Sequence, residues 1–232
     1  MRHTIFAIIL FTCTCAVQAL AQGPGSSAPQ SSSPQPSAPQ PSAPERNSVS
    51  VVAVGTLANG SLKGTTSDRH LTFFGVSYNR LLLQRKPISL TFTSMAIPVA
   101  LLREPFLIGT NFQTQQSQAP FTEIRTSYGL GASPLGVEAR FLTTRKVQPF
   151  VGFQGGFLYF NRNVLAQQAA QFNFTLDGRA GVRIPIQGEK SISVSYMFQH
   201  MSNAYSAVDN PGLDCHMIMV AYTFPIHFGH GK

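Results

Sequence analysis

The chain has 232 residues, of which 43% are hydrophobic and only 11% charged, and its formal net charge is +8. An ordinary soluble domain carries roughly 25% charged residues, so the composition argues against a generic cytosolic globule. The 18 phenylalanines and 6 tyrosines provide too much apolar surface for a wholly disordered chain. Beyond the N-terminus, no apolar run is long enough to predict a membrane-spanning helix. The apolar residues must therefore serve a fold of another kind.

Residues 1–21 have the three parts of a secretory signal peptide. Arg2 supplies the positive start, residues 5–17 form a short apolar core, and Ala19 and Ala21 offer small side chains before a cut at Gln22. Removal of this segment would leave Cys215 as the only cysteine, which excludes an intramolecular disulfide. An exported protein without disulfides is more typical of the bacterial envelope than of small secreted domains, which are usually cross-linked by several disulfides.

Residues 22–45 form a Pro-, Ser- and Gln-rich segment without a large apolar residue. Such a segment cannot bury enough surface to fold, so we predict a disordered linker with partly extended character. The folded unit is expected to comprise residues 46–232.

Two segments near the C-terminus alternate apolar and polar residues with the two-residue period of a β-strand. In residues 190–202, Ile192, Val194 and Tyr196 share one face, while serines occupy the other. Residues 172–186 show the same alternation, with charged side chains opposite the apolar ones. A soluble sandwich would bury the apolar face, whereas an outer-membrane barrel turns it toward lipid and encloses the polar face.

Six further segments complete a set of eight candidate strands: residues 47–57, 70–83, 88–96, 124–142, 148–160 and 213–224. A shift in the alternation at Ser133 and Pro134 predicts a β-bulge. Short joins alternate with longer ones such as 59–69 and 103–122, as is typical of outer-membrane barrels. The predicted fold is therefore all-β, an eight-stranded antiparallel outer-membrane β-barrel preceded by a signal peptide and a disordered linker.

Two observations favour the alternative of a soluble, lipocalin-like barrel. The chain has no tryptophan for an interfacial girdle, and several residues follow the aromatic end of the last predicted strand at Phe224.

Three polar residues interrupt the outward-facing pattern near the C-terminus. His200 and Ser202 are two apart in a strand and so share a face, which places an imidazole near a hydroxyl. If residues 190–202 and 213–224 pair antiparallel, Asp214 comes near His200 and can fix its tautomer. The alternation turns all three outward at one rim, where a nucleophile would meet a lipid from the side. The alternative is that they are ordinary polar residues of the headgroup zone.

Two short segments, HMSNA at 200–204 and NPGLD at 210–214, resemble the signature of the outer-membrane lipid A 3-O-deacylase family, whose members are also labelled acyloxyacyl hydrolases. The resemblance implies an eight-stranded barrel that hydrolyses the ester-linked acyl chain at the 3-position of lipid A, without a metal or other cofactor. It implies Ser202 as nucleophile, His200 as general base, Asp214 as orienting acid and Asn203 as an aid to the oxyanion. The usual family pattern has Glu where this chain has Asp214, so a shorter reach to His200 is expected.

The remaining expectations concern partners and the lumen. The excess of Lys and Arg suits lipid A phosphates, so lipopolysaccharide and outer-membrane lipid are the expected partners, nucleic acid is not, and a homodimer is left open. The rival function is a non-enzymatic structural or adhesive barrel with a vestigial site. Cys215 is expected to be a packed thiol. A lumenal ion-pair network is predicted from Glu138, Arg140, Asp177, Arg179 and Arg183.

Overall fold

The computed structural model describes residues 46–108, 121–186 and 189–226. The predicted signal peptide 1–21, the predicted linker 22–45 and the C-terminal residues 227–232 lie outside the described residues. Within the part that is described, no helix is long and apolar enough to cross a membrane.

The described residues form eight strands that pair antiparallel in chain order, and the last strand pairs with the first to close a barrel. The strands are β1 (Asn47–Gly60), β2 (His70–Arg85), β3 (Ile88–Ile108), β4 (Phe121–Arg140), β5 (Gln148–Phe160), β6 (Phe172–Pro185), β7 (Ser191–Ser202) and β8 (Leu213–Pro225). The predicted all-β, eight-stranded antiparallel architecture is confirmed.

The third and fourth strands are longer than the sequence pattern predicts. The pattern ends the third strand at residue 96 and assigns 103–122 to a loop, but β3 continues to Ile108 and pairs there with Phe121 of β4. The register shifts between Ile97 and Ala100, so a bulge accommodates Pro98 without ending the strand. The predicted bulge at Ser133 and Pro134 is confirmed by a register shift between Ala132 and Leu135.

The outer face of the barrel is apolar. Along β7 the exposed residues Ile192, Val194 and Tyr196 alternate with buried serines, as the two-residue period predicts. Large hydrophobic residues are exposed on all eight strands over the described part of the chain. A soluble barrel would bury such residues, whereas a lipid-facing wall requires them exposed.

The interior is divided into an apolar half and a polar half. Near the short turns the interior is polar, as the sequence predicts, and a cavity of about 310 Å³ is lined there by residues such as Ser89, Gln148 and Arg183. Toward the rim with the longer loops the interior contains a packed apolar core. The sequence does not predict this core, because polar residues are expected on the inward face of each strand. This core includes Leu71, Phe73, Leu102, Leu158, Phe160, Met197, Met201, Leu213, Cys215 and Met217.

A lumenal ion-pair network is present around Glu138. Its carboxylate lies 3.2 Å from Arg183, 3.3 Å from Arg179 and 3.8 Å from Arg140. Asp177 is buried on the same side of the wall, but among the described residues it forms no ion pair within this distance range. The predicted network is thus confirmed by direct ion pairs for Glu138 and its three arginines, while Asp177 interacts with Arg179 by charge alone.

A second buried carboxylate fastens the loop between β5 and β6 over the apolar core. Glu104 is 1% exposed and pairs with Arg69 at 3.4 Å and Arg125 at 3.0 Å. It also accepts the backbone N–H of Leu165, whose side chain enters the core. The Arg69 guanidinium in turn donates to the carbonyl of Leu165 at 2.8 Å. The loop is therefore held by charge as well as by apolar packing.

The substitution Glu104→Gln is expected to destabilise the barrel by about 3–5 kcal/mol, because it removes the buried carboxylate charge that pairs with the Arg69 and Arg125 guanidinium groups. The midpoint of heat modification on electrophoresis measures the loss. Glu123→Gln, at an exposed position of β4, is the matched control. Equal midpoints for the two variants would contradict a stabilising role for Glu104.

Candidate active site

The pairing of β7 with β8 brings His200 and Asp214 together. The two residues are direct register partners, and His200 Nδ1 lies 2.7 Å from Asp214 Oδ1. The contact follows from the antiparallel pairing of the two consecutive strands, which places the end of β7 beside the start of β8. The sequence-derived expectation that antiparallel pairing would join these residues is met by the geometry.

Asp214 differs from the prediction in its exposure. The sequence alternation places it on the outer wall, but its side chain is 0% exposed, while that of His200 is 26% exposed. The loop between β1 and β2 covers it, and Asp214 Oδ2 accepts the backbone N–H groups of Lys63 at 2.6 Å and Gly64 at 2.9 Å. Despite its short side chain, Asp214 reaches His200 because the two residues are directly opposite.

Ser202 is the last residue of β7 and is partly exposed. It lies two residues from His200 and therefore on the same face of the strand. Across the sheet its partner is Phe174, and the partner of His200 is Leu176; both are exposed. Ser202 thus stands beside an apolar stretch of the outer wall.

An aromatic cluster extends that apolar stretch. The ring of Phe172 lies 5.0 Å from that of Phe174 in an edge-to-face arrangement and 5.3 Å from that of Phe157 in a stacked one. Such contacts fix the ring of Phe174, the cross-strand neighbour of Ser202.

Asn203 is committed to the loop that follows Ser202. It is 1% exposed, its Nδ2 donates to the carbonyl of Asp209 at 2.6 Å, and its backbone N–H donates to Asn210 Oδ1 at 3.0 Å. The Ser206 N–H donates to the Asn203 carbonyl, and the two residues between them have positive φ. This pattern is a primed β-turn, so the observed contacts of Asn203 organise the turn.

Two contributors to the site are not identifiable from residue types. Lys63 and Gly64 act through backbone N–H groups, and the only sequence signal for a loop that covers Asp214 is the length of the 59–69 connection.

Cys215 is 1% exposed, in agreement with a packed thiol. Among the described residues, no three His, Cys, Asp or Glu side chains are grouped so as to hold a metal ion.

The fold and the His200–Asp214 pair define a class: a membrane β-barrel whose rim carries side chains suited to acid–base chemistry. The model of the lipid A 3-O-deacylase (PagL) family matches residues 95–223, more than half of the chain. The chain belongs to this family. It is an outer-membrane carboxylic ester hydrolase that acts on the 3-O-linked acyl chain of lipid A, and the family resemblance seen in the sequence is confirmed.

Several solved structures are similar in fold. The crystal structure of the outer membrane enzyme PagL is 21% identical, with a TM-score of 0.48, and the match covers 77% of this chain and 99% of that one. Neisserial surface protein A is 10% identical, with a TM-score of 0.44 and coverage of 78% and 97%. The outer membrane protein OprG from Pseudomonas aeruginosa is 12% identical, with a TM-score of 0.41 and coverage of 79% and 98%. No curated protein matches the sequence significantly.

Proposed function

We propose that this deacylase works through a Ser-His-Asp mechanism in which Ser202 is the nucleophile, His200 the general base and Asp214 the orienting acid. The observation that carries the proposal is the 2.7 Å hydrogen bond between His200 Nδ1 and Asp214 Oδ1. This bond occupies Nδ1, so Nε2 is the ring nitrogen that can accept a proton from Ser202.

The reaction proceeds in two acyl-transfer steps. Ser202 Oγ attacks the carbonyl carbon of the 3-O ester while His200 takes the hydroxyl proton. The C–O bond to the sugar then breaks, and His200 returns the proton to the departing 3-hydroxyl oxygen. Water, deprotonated by His200, attacks the acyl-serine and releases the free fatty acid, which restores Ser202. Throughout, the Asp214 carboxylate stabilises the imidazolium form of His200.

The surroundings of Ser202 support a lipid substrate that approaches within the membrane plane. Phe174 and Leu176, the cross-strand neighbours of Ser202 and His200, are exposed on the outer wall and can contact an acyl chain. Lys63, Arg103 and Arg162 are exposed at the rim with the longer loops, where cations suit lipid A phosphates. Lipopolysaccharide is therefore the substrate and partner that this rim favours.

Two finer assignments belong to the same proposal. Asn203 would contribute to oxyanion stabilisation through the second hydrogen of its amide, since the first is donated to Asp209. Residues 1–21 would be removed on export, which delivers residues 22–232 to the outer membrane.

The substitution His200→Ala tests the mechanism. With purified protein in detergent, a fluorophosphonate probe should label wild-type Ser202, and the labelling rate should fall by about 10³-fold or more without the general base. His70→Ala removes an exposed histidine at the start of β2 and is the matched control, expected to label like wild type. Normal labelling of the His200 variant would exclude His200 as the base.

A further inference from the structure

We propose that the loop between β1 and β2, residues 61–69, is a positioning element for the acid–base pair, and that Gly64 is its key positioning residue. The inference rests on the proposed function, because it assigns to the loop the task of holding Asp214 against His200.

The contacts divide the carboxylate of Asp214 between two partners. Oδ1 is directed at His200 Nδ1, at 2.7 Å. Oδ2 accepts two backbone N–H groups of the loop, from Lys63 at 2.6 Å and from Gly64 at 2.9 Å. Hydrogen bonds to an ionised carboxylate are about twice as strong as neutral ones. The loop therefore fixes the rotation of the carboxylate and keeps Oδ1 aimed at the imidazole.

The β1–β2 loop packs so closely against the backbone of Leu213 and Asp214 that position 64 requires a glycine. A Cβ on Gly64 would lie 2.6 Å from the backbone N of Asp214 and 2.9 Å from the carbonyl carbon of Leu213. Both atoms belong to β8, which is held on each side by neighbouring strands. The strand cannot move aside, so any side chain at position 64 would push the loop outward and lengthen its hydrogen bonds to Asp214.

The loop is anchored at its root and along its length. At the root, the Asn59 side chain donates to the Arg69 carbonyl and accepts the Arg69 N–H, both at 2.8 Å. Further along, the Thr65 N–H donates to the Pro211 carbonyl at 2.8 Å, and the Thr66 hydroxyl donates to the Gly212 carbonyl at 2.6 Å. The loop thus docks on the segment that precedes Asp214.

Gly212, in the segment that precedes Asp214, also packs against the proposed general base His200. It has a φ of +63°, and a Cβ there would lie 3.3 Å from His200 Cε1. The docked loop, the 210–212 segment and the imidazole therefore form one packed unit. Support of this kind preorganises a catalytic pair before substrate arrives.

The substitution Gly64→Ala is expected to lower kcat for lipid A hydrolysis by about 10²-fold, the cost of a displacement of about 1 Å near the chemistry. The effect should fall mainly on kcat, because the substitution disturbs the N–H groups that hold Asp214 and keeps the Lys63 side chain that is proposed to meet lipid A phosphates. The rate of Ser202 labelling by the fluorophosphonate probe should fall by a similar factor. Gly55→Ala is the matched control, since a Cβ there meets only the Thr72 hydroxyl, at 3.9 Å.

A double-mutant comparison separates positioning from general destabilisation. If Gly64 acts through Asp214, then Gly64→Ala should cause no further loss of kcat in an Asp214→Asn background. Should Gly64→Ala fail to show heat modification, Thr66→Val replaces it: this variant keeps Gly64 and removes one anchor, and it should still lower kcat several-fold.

Three results would overturn the role of the loop: unchanged kcat in the folded Gly64 variant, an effect on KM alone, or full additivity with Asp214→Asn. These differ from failure of the proposed function. Inactive Ser202 and His200 variants together with a fully active Gly64 variant would refute only the role of the loop. Activity that survives Ser202→Ala would refute the mechanism itself.

Discussion

Replacement of Ser202 by alanine is expected to abolish the removal of the 3-O acyl chain from lipid A. Without the hydroxyl there is no acyl acceptor, and loss of a triad nucleophile lowers kcat by several orders of magnitude, at least about 10³-fold. In a Gram-negative host, the wild-type protein should shift the lipid A mass by one acyl chain, and the Ser202 variant should leave the mass unchanged. Mass spectrometry of extracted lipid A makes the measurement.

Ser206→Ala is the control for this experiment. Ser206 is an exposed serine in the loop that follows Ser202, and it contacts the turn through its backbone N–H, which the substitution keeps. Its lipid A profile should match that of the wild type. A mass shift that persists in the Ser202 variant would rule out the serine mechanism. No shift with the wild-type protein in the outer membrane would favour the non-enzymatic barrel.

The strands could be predicted from the sequence wherever one face of the strand contacts lipid and is apolar while the opposite, inward face is polar. Along β7, for example, each serine between Ile192 and Tyr196 turns inward, so the strand is visible as a simple alternation. The continuation of β3 past Pro98 could not be predicted, because the sequence does not show that a bulge between Ile97 and Ala100 lets the strand continue. The apolar core could not be predicted either, because the alternation does not show that inward residues such as Phe73 and Met217 pack together toward the longer loops while polar residues line the cavity near the short turns.

The candidate site was predictable only for the groups that carry chemistry in their side chains. His200 and Asp214 could be placed together from the strand order alone, since antiparallel pairing of consecutive strands puts the end of β7 beside the start of β8. The cover over Asp214 could not, because it consists of backbone N–H groups from a loop far away in sequence. Residue type carries no signal for such donors, and a single glycine at position 64 looks like any other loop glycine.

Substitutions of Asp214 can test separately how the length and the charge of its side chain contribute to catalysis. Asp214→Asn keeps the size of the side chain but removes the charge that stabilises the imidazolium, so kcat should fall by about 10³- to 10⁴-fold. Asp214→Glu keeps the charge but adds a methylene of about 1.5 Å. Although the family resemblance implies Glu at this position, Asp214 Oδ2 already lies 2.9 Å from the Gly64 N, so the added length should press on the loop, and kcat should fall by about 10²-fold.

The expected order of activity is therefore Asp above Glu above Asn, measured as kcat on purified lipid A in detergent. Heat modification checks that each barrel is folded before the rates are compared. The two N–H donors of the β1–β2 loop stand 2.6 and 2.9 Å from Asp214 Oδ2, which leaves no room for a longer acid unless the loop retreats. A Glu variant as active as the wild type would mean that the loop yields and does not set the length of the acid.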